Sequence, residues 1–498
     1  LLNTIDEPDQ EKTDIGIMTV GGTLGNTQKW DKTSLSINVS YINLASYIGL
    51  FPDRNDWEKP YEGLAGETVF RQKFDNGLLK LYAAFDTSNF ELTQEDINYD
   101  EGVYFKIKNN NLYVYSSYQG MLNDTWTVFG GMSYTYADEN INIIDSDIHD
   151  QEHSAHFKFK LKNRVSNRLK LYFGSEYFTT NFSEEYASDF VAKTDYGFNN
   201  NVFASYAEAD IIFSKAFAIK VGLRAEHTSL FNEFTISPRV SLAYKTSPKS
   251  QVSFAYGNFY QNPQSNVLKF TKNIESQQTD HYILNYQFNS EGRIFRAEAY
   301  YKDYDNLLKY DDEFTDFDTN FSNDGYGFAK GIDLFWRDNK SIKSTDYWVS
   351  YSYLDSERDY RNYPTKAQPN FANTHNLSVV GKYFIEDWKS QVGFSYAYGS
   401  GRNYTNPNMD GFLNQKTKAY NNLSLNWAYL LSPQKILYFS INNVTGFKNV
   451  NGYQYANIPD INGNFASRAL KPAADQFFFV GFFWTISEDN TSNQLDKL

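Results

Sequence analysis

The sequence predicts an all-β protein, a large antiparallel up-and-down barrel that crosses a membrane with its strands. Three observations carry this. Aromatic residues make up 18% of the chain, with 40 Tyr and 41 Phe against 12 Pro, and aromatic side chains favour strands. Apolar and polar residues alternate with period two in segment after segment. The connections are short at one end and long at the other, as in outer-membrane barrels with short periplasmic turns and long extracellular loops.

The alternation is plain in "NNLSLNWAYLLSPQKILYFSINN" at 421–443, where Leu423, Leu425, Trp427 and Tyr429 oppose Asn422, Ser424, Asn426 and Ala428. After the turn "SPQK", Leu437, Phe439 and Ile441 resume the pattern. In "LKLYFGSEYF", Leu169, Leu171 and Phe173 oppose Lys170, Tyr172, Gly174 and Glu176. "FAIKVGLRAE" sets Val221 and Leu223 against Lys220 and Arg224, and "RVSLAYK" sets Val240 and Leu242 against Arg239 and Ser241. Charged and small residues sharing one face suit a wide, wet lumen, with the apolar face toward lipid. Trp336, Trp348, Trp388, Trp427 and Trp484 fall near strand ends, where aromatic girdles mark the membrane interfaces.

Short turns are expected at 74–77, 122–124, 165–168, 246–249, 289–293, 385–387 and 432–435, and long loops at 145–154, 181–197, 311–325 and 358–370. About 21 strand segments can be counted, ending with "QFFFVGFFWTIS" at 476–487. A single-chain barrel carries an even number, so about 22 are expected. The remaining strand lies upstream or partly within residues 1–13. This divides the chain into 1–13, the end of a plug or the start of the first strand, the barrel at 14–487, and a polar tail at 488–498.

Composition excludes other classes. A net charge of −14 offers no basic stripe for nucleic acid. The absence of Cys removes disulfides, thiolate metal sites and cysteine nucleophiles. No apolar run reaches the roughly 18 residues of a membrane helix. Mean hydropathy is negative, which does not argue against a barrel, because its apolar residues are diluted one in two. The opening "LLNTIDEPDQ" shows no signal peptide and reads as the start of a mature chain or of a piece of one.

Several motifs resemble functional sites without the spacing those sites need. "HDQEHSAH" brings His149, His153 and His156 together in sequence, but on a strand at 151–165 residues three apart face opposite ways, so no metal site is expected. "DDEFTDFDTNFSNDG" offers Asp311, Asp312, Glu313, Asp316 and Asp318 without the spacing of a calcium loop. "GYGFAKG" lacks the helix that follows a nucleotide loop. No G-x-S-x-G elbow or comparable constellation stands out, so neither an enzyme nor a cofactor is expected. Ligand recognition is expected of the long loops: Arg54 and Trp57, Arg358, Tyr360, Arg361 and Tyr363, and Arg402 and Tyr404. The planar fork of Arg matches anionic groups, and aromatics stack on rings or sugars.

Six stretches together resemble the barrel of TonB-dependent outer-membrane receptors. They are "NDWEKPYEGLAGETVFRQKFDNGLLKLYAAFD" (55–86), "SPRVSLAYKTSPKSQVSFAYGNFYQNPQ" (237–264), "NDGYGFAKGIDLFWR" (323–337), "YWVSYSYLDSERDYRNYP" (347–364), "LYFSINNVTGFKNVNGYQY" (437–455) and the closing aromatic strand. The resemblance implies a 22-stranded barrel in a bacterial outer membrane, occluded by an N-terminal plug that these residues do not contain. It implies import of a small or medium-sized ligand such as a siderophore, vitamin, peptide or oligosaccharide. The implied partners are outer-membrane lipids, the TonB complex acting through the N-terminal region, and a surface lipoprotein or other outer-membrane subunits. The alternatives are a plugless or plug-inert barrel serving as a scaffold subunit of a larger outer-membrane complex, and a passive porin, which would carry a constriction loop in its lumen.

Overall fold

A computed structural model describes residues 8, 10–311 and 316–488. The chain forms one closed, 22-stranded antiparallel sheet. The first strand, Lys12–Met18, closes the barrel by pairing with Gly21–Lys29 on one side and with the last strand, Phe477–Ser487, on the other. The even number is therefore met between residues 12 and 487, and the first strand starts at Lys12, inside the segment 1–13. Residues 489–498 of the expected tail lie outside the described residues.

The faces follow the alternation. Phe157, Phe173, Phe203, Leu223 and Leu284 are exposed on the outer surface, where hydrocarbon covers them. On the opposite face of the same strands, Lys158, Glu176 and Arg224 meet inside. Trp336, Trp388, Trp427 and Trp484 all sit at the short-turn end. Trp348 does not join that girdle. It lies over the inward Arg337 and Lys382, with the charged groups 5.9 Å and 5.5 Å from its ring.

Two of the expected long loops are strands. Ser146–Arg164 and Leu169–Ser188 run for 19 and 20 residues, although about ten tilted residues cross a bilayer. Their outer halves stand above the membrane as a β-wall. There the pattern inverts, because water replaces lipid outside: Asn181 and Glu185 face out, and Phe182 and Phe198 stack inside at 5.6 Å. The inversion is why this stretch reads as loop.

His149 is accordingly on a strand, not in a loop, and meets Asp138 at 3.0 Å. His156 stacks on Phe178 at 4.0 Å. Among the described residues, no group of three or more His, Asp or Glu side chains is placed to hold a metal. Of the acidic stretch, Asp312 and Glu313 lie outside the described residues. Asp316 accepts the backbone N–H groups of Asp318 and Thr319 in its own turn. "GYGFAKG" lies within the strand Phe321–Asp338.

The remaining elements belong to the long-loop end. They are two short helices, Ala45–Leu50 and Ser265–Leu268, and two hairpins, Asn403–Tyr404 with Gln415–Lys416 and Gly452–Tyr455 with Ser467–Leu470.

Candidate ligand cavity at the mouth of the barrel

Strand register builds a cavity of about 630 Å³ at the long-loop end. Phe259, Thr279, Tyr304, Gly327 and Arg358 are paired in one row across five neighbouring strands. The next row toward the short turns sets Arg239, Gly257, His281, Lys302 and Ala329 side by side. Alternation sends Thr279, His281, Lys302 and Tyr304 inward. The same alternation sends Asp280, Asp303 and Asp305 to the outer face, where Asp280 accepts hydrogen bonds from Tyr256 and Asn258.

The result is a cationic, aromatic and amide-rich lining inside a chain of net charge −14. Among the described residues no Asp or Glu lines the cavity, and no carboxylate pairs with Lys302, Arg358 or Arg361. The Arg358 guanidinium lies 4.4 Å from the Tyr304 ring centre and 5.6 Å from those of Tyr360 and Phe371. Glycine at 327 permits this: a Cβ there would sit 2.9 Å from the Cα and Cγ of Arg358. Two buried polar atoms of the lining have no hydrogen-bond partner, Arg358 Nε and Thr279 Oγ1. Both atoms are closed off from the cavity space, and buried polar groups are nearly always satisfied, so what the cavity itself offers a guest is the outer edges of the Arg358 and Arg361 guanidinium groups and the Lys302 ammonium.

The segment 262–276 roofs the cavity. Val267, Leu268 and Ile274 pack against the inward Phe182 and Phe198. Lys269 pairs with Glu184 at 2.5 Å, both largely buried, and Phe270 packs edge-on to Tyr196 at 5.3 Å. This segment folds inward, as a constriction loop would. It rests on the long-loop ends of the strands and covers a cavity there.

Of the residues singled out in the sequence, Arg358, Tyr360 and Arg361 line this cavity together. Arg361 adopts a left-handed backbone, φ 52°, and its N–H donates to the Leu308 carbonyl at 2.6 Å. Tyr363 stands behind, edge-on to Tyr360 at 4.8 Å and to Phe412 at 4.7 Å. Burial and the Tyr360 ring beside it push the Tyr363 hydroxyl up to about 12, so it stays a neutral donor. The other four lie elsewhere on the rim. Arg402 lines a separate cavity of about 740 Å³ on another part of the wall, and Tyr404 packs on Tyr453 at 4.8 Å. Arg54 clamps Asp475 at 2.6 Å, and Trp57 donates to Asp53 at 3.0 Å. Lys302, Tyr304, His281 and Thr279 sit inside strands, where loop composition gives no sign of them.

A family model for the TonB-dependent receptor-like β-barrel matches residues 20–444. The chain belongs to the TonB-dependent receptor family. It is therefore an outer-membrane protein of a receptor family that transports and does not catalyse, whose members work with TonB and sit among outer-membrane lipids. Solved structures share this barrel at low identity. The outer membrane transporter YddB from Escherichia coli is 11% identical with a TM-score of 0.73, covering 97% of this chain and 81% of its own. The ferric-catecholate import receptor Fiu from K12 E. coli is 11% identical with a TM-score of 0.72, over 96% and 82%. The siderophore receptor PiuA from Acinetobacter baumannii is 10% identical with a TM-score of 0.73, over 97% and 82%. No curated protein matches the chain by sequence.

Proposed function

We propose that this receptor barrel belongs to a transporter importing a negatively charged, ring-bearing ligand, a ferric catecholate being the best-fitting class. The observation that carries this is the mouth cavity, which has three cations, stacked aromatics and no carboxylate among its described lining residues. Charge-assisted hydrogen bonds from a planar guanidinium suit oxyanions. Aromatic faces suit catechol rings. Of the structurally similar proteins, one is described as a ferric-catecholate import receptor and another as a siderophore receptor, which supports the reading.

In this reading Arg358 and Arg361 hold the anionic edge of the ligand, and Tyr304 and Tyr360 keep the Arg358 guanidinium flat. The segment 262–276 shields the bound ligand from water. An N-terminal plug, coupled to TonB, opens the way into the lumen. The test is uptake of iron-55, supplied as the ferric complex of 2,3-dihydroxybenzoate, by cells producing the full-length protein as their sole receptor. Uptake that requires TonB and fails with Arg358→Gln is expected. Uptake of a cationic chelate equally well, or indifference to Arg358, would overturn the reading.

A further inference from the structure

We propose that the lumen carries a second anion-binding station, seated on Arg239, Phe259 and His281, which receives the ligand as it leaves the mouth cavity. This rests on the reading of that cavity as a capture site. Phe259 and His281 are walls of both cavities. The second cavity, about 230 Å³, begins where the first ends. On the strand Ser250–Gln261 the first uses residues from Phe259 onward, and the second uses Ala255 to Phe259. On the strand Gln277–Ser290 the first uses Gln277 to His281, and the second uses His281 and Ile283. Both shifts run toward the short turns, so the second cavity lies one step deeper.

Its chemistry repeats that of the first at smaller size. The Arg239 guanidinium lies over the Phe259 ring, 4.6 Å from its centre, and the same ring is 4.8 Å from that of His281. Glycine at 257 makes the stack possible, because a Cβ there would come within 2.8 Å of the Phe259 ring. Glu208 is the one carboxylate among the described lining residues. It is already held by Lys220 at 2.9 Å, leaving Arg239 with no carboxylate partner among the described residues. A stacked guanidinium keeps its in-plane N–H groups free for an oxyanion. The space takes one acidic ring or arm rather than a whole chelate, so the station holds the ligand by a single carboxylate, phosphate or phenolate group.

The test is equilibrium dialysis of the detergent-solubilised full-length protein against 2-naphthoate, a small planar carboxylate. The heat-dependent gel mobility of each variant reports whether its barrel has folded. Two sites are expected in the unaltered protein. Arg239→Gln should weaken one at least tenfold and spare the other, and Arg358→Gln should do the converse. Phe259→Leu, which keeps every charge, should weaken both severalfold. Loss of a site with Arg358→Gln but none with Arg239→Gln overturns the deeper station and leaves the capture reading standing. Two undisturbed sites in all three variants overturn both.

Discussion

Two parts of the inner wall both concentrate positive charge, and they treat it differently. Around Glu176, the Lys158 ammonium is 2.5 Å from one carboxylate oxygen and the Arg224 guanidinium is 2.6 Å from the other. Arg224 also reaches Glu226 at 2.8 Å. Across the lumen, Arg358, Arg361 and Lys302 meet rings and amides and no carboxylate among the described residues. Charges that neutralise one another hold strands together. Charges left uncompensated in an acidic protein are available to a guest. Sequence cannot draw this distinction, because both sets are Lys and Arg on the inward face of strands.

The comparison can be broken at either end. The largest effect is expected from Glu176→Ala, which leaves Lys158 without its carboxylate and Arg224 with Glu226 alone. Removing one partner of a buried pair costs about 3–5 kcal/mol, and the wet lumen puts this case near about 3. Urea unfolding in detergent should show that loss while ligand affinity stays unchanged. Arg358→Gln should do the reverse. It should lose about 2 kcal/mol of binding, a charge-assisted hydrogen bond's worth, roughly thirtyfold in Kd, without moving the unfolding midpoint. If both variants affect both properties, the two regions are not distinct.

Gly327→Ala sharpens the same point without touching a charge. The added methyl meets the Glu357 carbonyl oxygen at 2.5 Å and the Arg358 backbone and Cγ at 2.9 Å. The guanidinium should be pushed off Tyr304, weakening binding about tenfold, or about 1.4 kcal/mol, in a titration followed by calorimetry. The smallest effect concerns the rim. The Lys448 ammonium, and after it the Arg54 guanidinium, hold the Asp475 carboxyl below its ordinary value. A depressed carboxyl contributes fully above its unfolded value of about 4. The contribution is lost as pH falls through the depressed folded value. Protease nicking within 443–476 should therefore rise as pH drops below about 4, and Asp475→Asn should show the raised nicking already at neutral pH.

The barrel was legible because one physical rule, alternation against lipid, repeats along the whole chain. The asymmetry of connections gave the sidedness, and even strand number supplied the twenty-second strand. The rule failed where the solvent changed. Above the membrane Phe182 and Phe198 turn inward, and the tall β-wall at 145–197 looked like loops. Trp348 misled for a related reason: an aromatic near a strand end can face a lumenal Arg as readily as a headgroup.

The candidate site was half legible. "RDYRNYP" marked Arg358, Tyr360 and Arg361, because arginine beside tyrosine in a long connection is a recognisable pairing. Their partners Thr279, His281, Lys302 and Tyr304 lie on strands remote in sequence and meet them only through register. Arg54 and Trp57 shared the same composition but satisfy Asp475 and Asp53, contacts that composition does not show.

The most direct test of the central claim is a cryo-EM map of the full-length protein with the ferric complex of 2,3-dihydroxybenzoate added. Ligand density against the Arg358 and Arg361 guanidinium groups, beneath the segment 262–276, is the predicted result. A bound ligand placed on the rim around Arg54 or Arg402, with the mouth cavity filled only by water, would contradict it.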